Sequence, residues 1–198
     1  MDNNSNEICG LKGITVYCAS SKDIAPEYYA AARELGRAIA AAGFPLITGA
    51  GNMGLMGAVN DAAMEAGGCT VGVIPRFMVE RGWHHDGLSK LIVTEDMHSR
   101  KSLMASLARG VVALPGGIGT LEELCEIMTW RQLGLFDGSV VIYNVDGYYD
   151  PLTDMLRRAI DRGFMRPDHA GLFAVATDAS EAVRLAAGEH ENHFSPKF

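Results

Sequence analysis

Three stretches of this 198-residue chain carry residue types that can do chemistry together. The first is Pro115-Gly116-Gly117-Ile118-Gly119-Thr120-Leu121-Glu122-Glu123. It follows the apolar run Val111–Leu114 and leads into Leu121, Leu124, Cys125 and Met128, whose spacing predicts a helix. A glycine loop that opens a helix turns backbone N–H groups and the positive end of the helix dipole towards one point, which suits a phosphate. Glu123 opposes such an anion, so its role must differ. It is either a working carboxylate or only the N3 half of a T-x-x-E capping box with Thr120 as N-cap.

The second stretch is Met97-His98-Ser99-Arg100-Lys101. Arg100 shares a face, at spacings of three, four and seven, with Leu103, Met104 and Leu107, a helix that the pattern closes at Gly110. Burying an arginine there is costly unless it is paired, and the natural partners are a substrate phosphate or Glu123. The alternative is a stem that snorkels over the core. His98 is either a ligand contact or a structural histidine. His84 and His85, in the long loop from Arg76 to Lys90, read equally as a solvated face.

The third stretch is Gly49-Ala50-Gly51-Asn52-Met53-Gly54, a match to G-x-G-x-x-G. Two details count against a dinucleotide: the loop follows the second strand, and no acidic residue stands at the end of the next one. Arg76 there would suit a 2'-phosphate. A tight turn, or a phosphate or ribose cradle without nicotinamide, are the other readings.

Short apolar runs that alternate with amphipathic stretches must position these three. Strands are predicted at Ile14–Cys18, Phe44–Thr48, Thr70–Ile74, Leu91–Val93, Val111–Leu114, Val140–Asn144 and Leu172–Ala176. They are continuous rather than alternating runs, as parallel strands buried on both faces require. A helix from Pro26 shows Tyr28, Ala31, Ala32, Leu35, Ile39 and Ala42 on one face, with Gly43 as its stop. The pattern predicts an α/β fold: a Rossmann-like, doubly wound, mostly parallel sheet of about seven strands with helices on both faces. No linker or repeat divides it, so one domain over 1–198 is expected, with loose ends at about 1–8 and 188–198. Ligands of such sheets bind at the carboxyl ends of the strands. That selects the loops Ala19–Asp23, Gly49–Gly57, Asp96–Arg100 and Pro115–Thr120.

The apolar fraction is 48%, and the formal charge of −7 argues against a nucleic-acid or anionic-membrane binder. No apolar run reaches membrane-span length, and the N-terminus lacks the features of a signal peptide, so cytoplasmic residence is expected. Cys18, Cys69 and Cys125 read as small core hydrophobes, not a disulfide set, and the histidines show no metal-ligand spacing. No metal is expected.

Taken together, Met97-His98-x-Arg100-Lys101 and Pro115-Gly116-Gly117-x-Gly119-Thr120-x-x-Glu123 resemble the Lonely Guy (LOG) family. Gly54-Leu55-Met56-Gly57 and Asn144-Val145-Asp146-Gly147-Tyr148-Tyr149 extend the resemblance to roughly residues 12–187. The family comprises cytokinin riboside 5'-monophosphate phosphoribohydrolases, often under the older label of lysine decarboxylases. The resemblance implies a homodimer that hydrolyses the N-glycosidic bond of purine nucleoside 5'-monophosphates without a cofactor. It implies Arg100 and Glu123 as catalytic residues. Substrate contacts would come from Lys101, Gly117, Gly119, Thr120 and Thr129, with Ser20, Gly49, Gly51, Asn52, Met97, Gly116, Ile118 and Glu122 completing the binding loops. The chain departs from the pattern at Thr48-Gly49-Ala50-Gly51, where the family has three glycines. It departs again at Ala19-Ser20-Ser21 and at Gly82, which aligns with a glutamate in many members. A carrier of the molybdenum cofactor is the rival from another class: it needs the glycine loops but not the Arg100–Glu123 pair. Decarboxylation is disfavoured, because it needs a Schiff-base lysine and Lys101 is already accounted for by the motif.

Overall fold

In the computed structural model, residues 12–188 are described; all but Gly188 of the stretches expected to be loose lie outside them. Seven strands form one sheet: β1 (Gly13–Tyr17), β2 (Leu46–Thr48), β3 (Thr70–Pro75), β4 (Lys90–Thr94), β5 (Ala108–Ala113), β6 (Ser139–Tyr143) and β7 (Ala174–Ala176). The order is β4-β3-β2-β1-β5-β6-β7 and every pairing is parallel. Helices α1 (Pro26–Ala41), α2 (Gly54–Glu65), α3 (Arg76–Val79), α4 (Met97–Leu107), α5 (Ile118–Gln132) and α6 (Asp150–Asp161) fill the crossovers, and α7 (Ala179–Ala186) follows β7.

Burial explains the strand composition. The three central strands β2, β1 and β5 carry side chains into two cores. Ile14, Val16, Leu46, Val112 and Leu114 pack under α1, α2 and α7. Tyr17, Ile47, Val111 and Ala113, joined by Val71 of β3, pack under α4 and α5. Each fully buried aliphatic side chain contributes roughly 1.5–3 kcal/mol relative to exposure, which is why neither face tolerates polar alternation. The edge strands β4 and β7 are only partly buried.

Several boundaries differ from the sequence pattern. The Phe44 N–H donates to Ile39 O at 3.2 Å, which closes α1 around Gly43 (φ +75°), so β2 starts only at Leu46. Leu172 ends a 3₁₀ turn, Pro167–Leu172, and β7 begins at Ala174. Gly110 does not close α4. It lies inside β5 opposite Ile14, where a Cβ would stand 2.1 Å from Ala186 O. Of the three cysteines read as core, Cys18 is buried. Cys125 is exposed, because it follows Leu124 onto the outer side of α5. Cys69 is half-buried and disulfide-bonded, contrary to the thiol reading.

The strand order reverses at β1, because successive strands run one way to β4 and the other way to β7. The loops after β1 and β5 therefore flank the crevice where such sheets take ligands.

Candidate active site

Arg100 reaches its place through the cap of α4. The Asp96 carboxylate accepts from the Ser99 N–H at 2.7 Å, and the Ser99 hydroxyl accepts from the Asp96 N–H at 3.2 Å. This reciprocal capping box fixes the first turn, and Arg100 leaves it pointing over the strand ends. Its side chain is 7% exposed. Nε donates to Val73 O at 3.1 Å and Nη1 to the Glu123 carboxylate at 2.9 Å. The snorkelling alternative is thereby excluded.

Glu123 lies in α5, one turn past its start. The helix begins at Ile118 with Gly117 as N-cap, so Thr120 is not the N-cap and Glu123 caps nothing. An extended Gly117 lets the helix start three residues before the T-x-x-E pattern implied. The Glu123 carboxylate sits over the end of β1, where burial first and its negative charge second push up the pKa of Tyr17 and Cys18 and keep both groups neutral. Burial raises its own pKa above the ordinary 4.5, and Arg100 offsets part of that rise.

The glycines around the pair have different reasons for being glycine. At Gly49 a Cβ would stand 1.9 Å from Nη2 of Arg100. The Gly51 N–H donates to Met56 Sδ at 3.0 Å. Gly54 takes φ +62° with its Cα packed on the Ser20–Ser21 backbone, where a Cβ would meet Ser21 O at 2.4 Å. The Met56 N–H already donates to Ala19 O at 3.2 Å. The β1–α1 loop thus packs on Gly54 and takes one amide of the first turn of α2, which counts further against a pyrophosphate at this helix start. The whole loop is held by Asn60, buried on α2. Its amide bonds the Thr48 hydroxyl at 3.1 Å and Gly51 O at 3.4 Å.

The β5–α5 loop is open instead. Gly117 and Gly119 have nothing within 4 Å of a Cβ position. Their N–H groups and that of Ile118 find no acceptor among the described residues; the first helical bond is Leu121 N–H to Gly117 O. Gly116 is tight, because the Thr120 hydroxyl folds back over it and would stand 2.1 Å from a Cβ. Free helix-start amides of this kind can cradle an anion, here beside a buried carboxylate and arginine.

Other expected site residues fall into two groups. Ser20, Asn52 and Met97 sit on the loops around the cradle, Met97 at the first position of α4. Ile118 is 84% exposed at the first residue of α5. Lys101 instead turns away from the pair. It is buried and bonds the Glu122 and Glu126 carboxylates. Burial alone would lower its pKa, but the two carboxylates raise it above the ordinary lysine value. Thr129 lies about 13 Å along α5 from Thr120 and its hydroxyl bonds Cys125 O. The fold does not bring it to the cradle within one chain.

Arg76 is exposed on Glu95. His85 pairs with Asp61, and His84 forms a lone bridge with Gly51 that lays the Arg76–Lys90 segment on the glycine loop. Sequence reading missed Asn60 and the Asp96–Ser99 box; the D-x-x-S spacing was the available signal for the latter. Among the described residues no cluster of His, Cys, Asp and Glu is placed to hold a metal, and no helix is long and apolar enough to cross a membrane.

The chain is similar to known proteins in both sequence and fold. A family described as "Possible lysine decarboxylase" matches residues 56–186. The cytokinin riboside 5'-monophosphate phosphoribohydrolase LOG5 of Arabidopsis thaliana is 40% identical over 174 residues, 88% of this chain and 76% of its own length. The Rhodococcoides fascians phosphoribohydrolase of the same name is also 40% identical, with 87% of each chain covered. Among solved structures, the molybdenum cofactor carrier protein of Chlamydomonas reinhardtii superposes with a TM-score of 0.69 at 27% identity, over 91% of this chain and 99% of that one. The molybdenum cofactor binding protein of Rippkaea orientalis, at 22% identity and TM-score 0.69 over 90% and 97%, shares the fold. With this identity along nearly its whole described length, the chain belongs to the LOG family of cytokinin riboside 5'-monophosphate phosphoribohydrolases.

Proposed function

We propose that the protein hydrolyses the N-glycosidic bond of a purine nucleoside 5'-monophosphate, of the AMP or isopentenyl-AMP type, releasing free base and ribose 5-phosphate. The observation that carries the reading is the buried Arg100–Glu123 pair beside the start of α5, where the Gly117, Ile118 and Gly119 amides have no acceptor among the described residues. Those amides hold the 5'-phosphate, and that remote binding places C1' of the ribose at the pair. The C1'–N bond then breaks with its electrons going to the base, and positive charge develops on the sugar. Glu123 stabilises that charge and takes a proton from the attacking water. The water oxygen bonds C1', and the proton passes to the departing base nitrogen. Arg100 fixes the carboxylate and, through Val73 O, keeps its own charge from wandering.

The distant Thr129 and the exposed Ile118 (84%), Leu133 (36%) and Leu135 (70%) on and beyond α5 support a homodimer in which this helix faces a second copy. A cytoplasmic enzyme needing no metal or organic cofactor fits the chemistry.

The likeness to molybdenum cofactor carriers supports one rival, a binding protein without turnover. Chromatography of AMP and isopentenyl-AMP after incubation with the purified protein separates the two. Base release by wild type, reduced roughly 10²–10⁴-fold in Glu123→Gln, is the expected result. Intact nucleotide in every sample, with a fluorescent pterin co-purifying, would establish the carrier. The acid limb of kcat/KM provides a second check. Because the ionised carboxylate acts and its pKa is raised, activity rises with pH through a midpoint above 4.5, and this limb is absent in Glu123→Gln. The stability contribution of the same group has the opposite sign. It is fully present below the ordinary value and is lost as pH climbs through the raised native one.

A further inference from the structure

The motif Asn144-Val145-Asp146-Gly147-Tyr148-Tyr149 has no part in the chemistry above, yet its two phenols end on the cradle. The Tyr149 hydroxyl donates to Leu114 O at 2.8 Å and the Tyr148 hydroxyl to Gly116 O at 2.8 Å. Between them, the Ala19 N–H donates to Pro115 O at 3.2 Å. Three consecutive carbonyls are therefore tied down towards β1 and α1. The motif is built to deliver them. Asp146 and Gly147 take left-handed φ of 50° and 68° to turn the chain. The Asn144 side chain accepts from the Tyr149 N–H and donates to Asp150, both at 2.7 Å. Tyr148 stands edge-on between Tyr28 of α1 and Tyr149, at centroid distances of 6.0 and 5.0 Å.

The two tyrosines make the same bond with different consequences. In a trans peptide the C=O and the following N–H point in opposite directions, and no peptide here is cis. Fixing Gly116 O therefore fixes the Gly117 N–H, the N-cap amide of α5, facing away from α1. Fixing Leu114 O orients no donor, because the next residue is Pro115. Thr120 packs against Gly116 from one side, but close packing does not hold its carbonyl on the side facing α1. An apolar cavity of about 170 Å³, bounded by Tyr28, Leu55, Tyr148 and the loop itself, lies on that side. The hydroxyl is the prop across it.

We propose that Tyr148 is a positioning residue for phosphate recognition, acting through the Gly116–Gly117 peptide, while Tyr149 is structural. The inference rests on the phosphoribohydrolase reading for its substrate but not for its anion. The test compares Tyr148→Phe with Tyr149→Phe in the full chain, by AMP kinetics, competitive inhibition and direct binding of inorganic phosphate, and thermal melting. In Tyr148→Phe, the KM for AMP and the phosphate dissociation constant should each rise about 10-fold, the worth of one hydrogen bond. Both kcat and Tm should stay close to wild type, because Tyr148 is half-exposed. Tyr149→Phe leaves a buried carbonyl unpaired, so its Tm should fall by at least about 2 °C with KM and phosphate affinity unchanged. Equal effects of the two variants on phosphate, none from Tyr148→Phe, or a wild type that binds no phosphate would each overturn the proposal. A wild type that binds phosphate in a Tyr148-dependent way but releases no base leaves it standing and removes the hydrolase reading instead.

Discussion

The β2–α2 and β5–α5 loops start alike: each leaves a buried parallel strand, carries three or more glycines and opens a helix on the ligand side of the sheet. They differ in what occupies the space that glycine leaves. Around Gly49, Gly51 and Gly54 that space is filled by Arg100, Met56 and the Ser20–Ser21 backbone, and the first turn of α2 already donates to Ala19 O. Around Gly117 and Gly119 it is open, and the amides have no acceptor among the described residues. Under the proposed function the first loop is therefore a mould for the catalytic arginine and the second a mould for a ligand. A glycine pattern alone does not distinguish the two; the neighbours of the missing Cβ do.

The largest effect is expected from filling the first mould. Gly49→Ala puts a methyl group on the Arg100 guanidinium and forces it off Glu123 or Val73 O. Displacing a positioned group by about 1 Å is worth about 100-fold in kcat/KM. Disturbing a buried pair costs up to about 3–5 kcal/mol of stability. Both activity and Tm should fall together. A variant with wild-type turnover would mean that Arg100 is not held where the chemistry needs it, and the comparison between the loops would collapse.

Filling the second mould should separate the two quantities. Gly119→Ala meets no protein atom and has no positive φ to lose, and it sits in the first turn of α5. Replacing a helical glycine gains about 0.5–1 kcal/mol, or about 2–3 °C in Tm. The same methyl group intrudes where the phosphate is placed, so the KM for AMP should rise about 10-fold, the loss of one charge-assisted hydrogen bond. A more stable enzyme with a weaker grip on nucleotide is the expected outcome of melting and steady-state kinetics. Unchanged KM would show that the open space is not the phosphate site.

The difference between the loops also marks how far sequence carries. The seven strands were legible because parallel strands buried twice over must be continuously apolar, and Arg100 and Glu123 stood out because their types violate the patterns around them. Boundaries were less legible where long-range needs decide. Gly110 reads as a helix stop, but β5 must pass close under Ala186. Thr120 and Glu123 read as a capping box, but an extended Gly117 lets α5 begin earlier, and the box forms instead at Asp96 and Ser99. Thr129 matched the family motif, yet its distance from the cradle is a property of helix rise that no motif encodes. Asn60 reads as any polar residue of a helix, since its two partners, Thr48 and Gly51, become neighbours only when α2 packs on β2.

The smallest effect is expected at Ala50, the one place where the first loop lacks the third glycine of the family pattern. Ala50 is fully buried and holds φ +63°, a conformation that costs an alanine about 1–2 kcal/mol. Its N–H is fixed by the Thr48 hydroxyl at 3.2 Å and its carbonyl accepts from the His85 N–H at 2.8 Å, so neighbouring bonds impose the strain. Ala50→Gly removes that strain but adds backbone freedom to the unfolded chain, worth about 0.4–1 kcal/mol, and vacates the methyl group facing Gly72. The terms nearly cancel, and the change should stay within about 0.5–1 kcal/mol in either direction, read by urea unfolding. Activity should be unaltered, because neither Gly49 nor Arg100 moves. A large gain in stability would show that the methyl group contributes nothing against Gly72. A loss of turnover would mean that the first loop touches substrate after all, erasing the distinction between a mould for a side chain and a mould for a ligand.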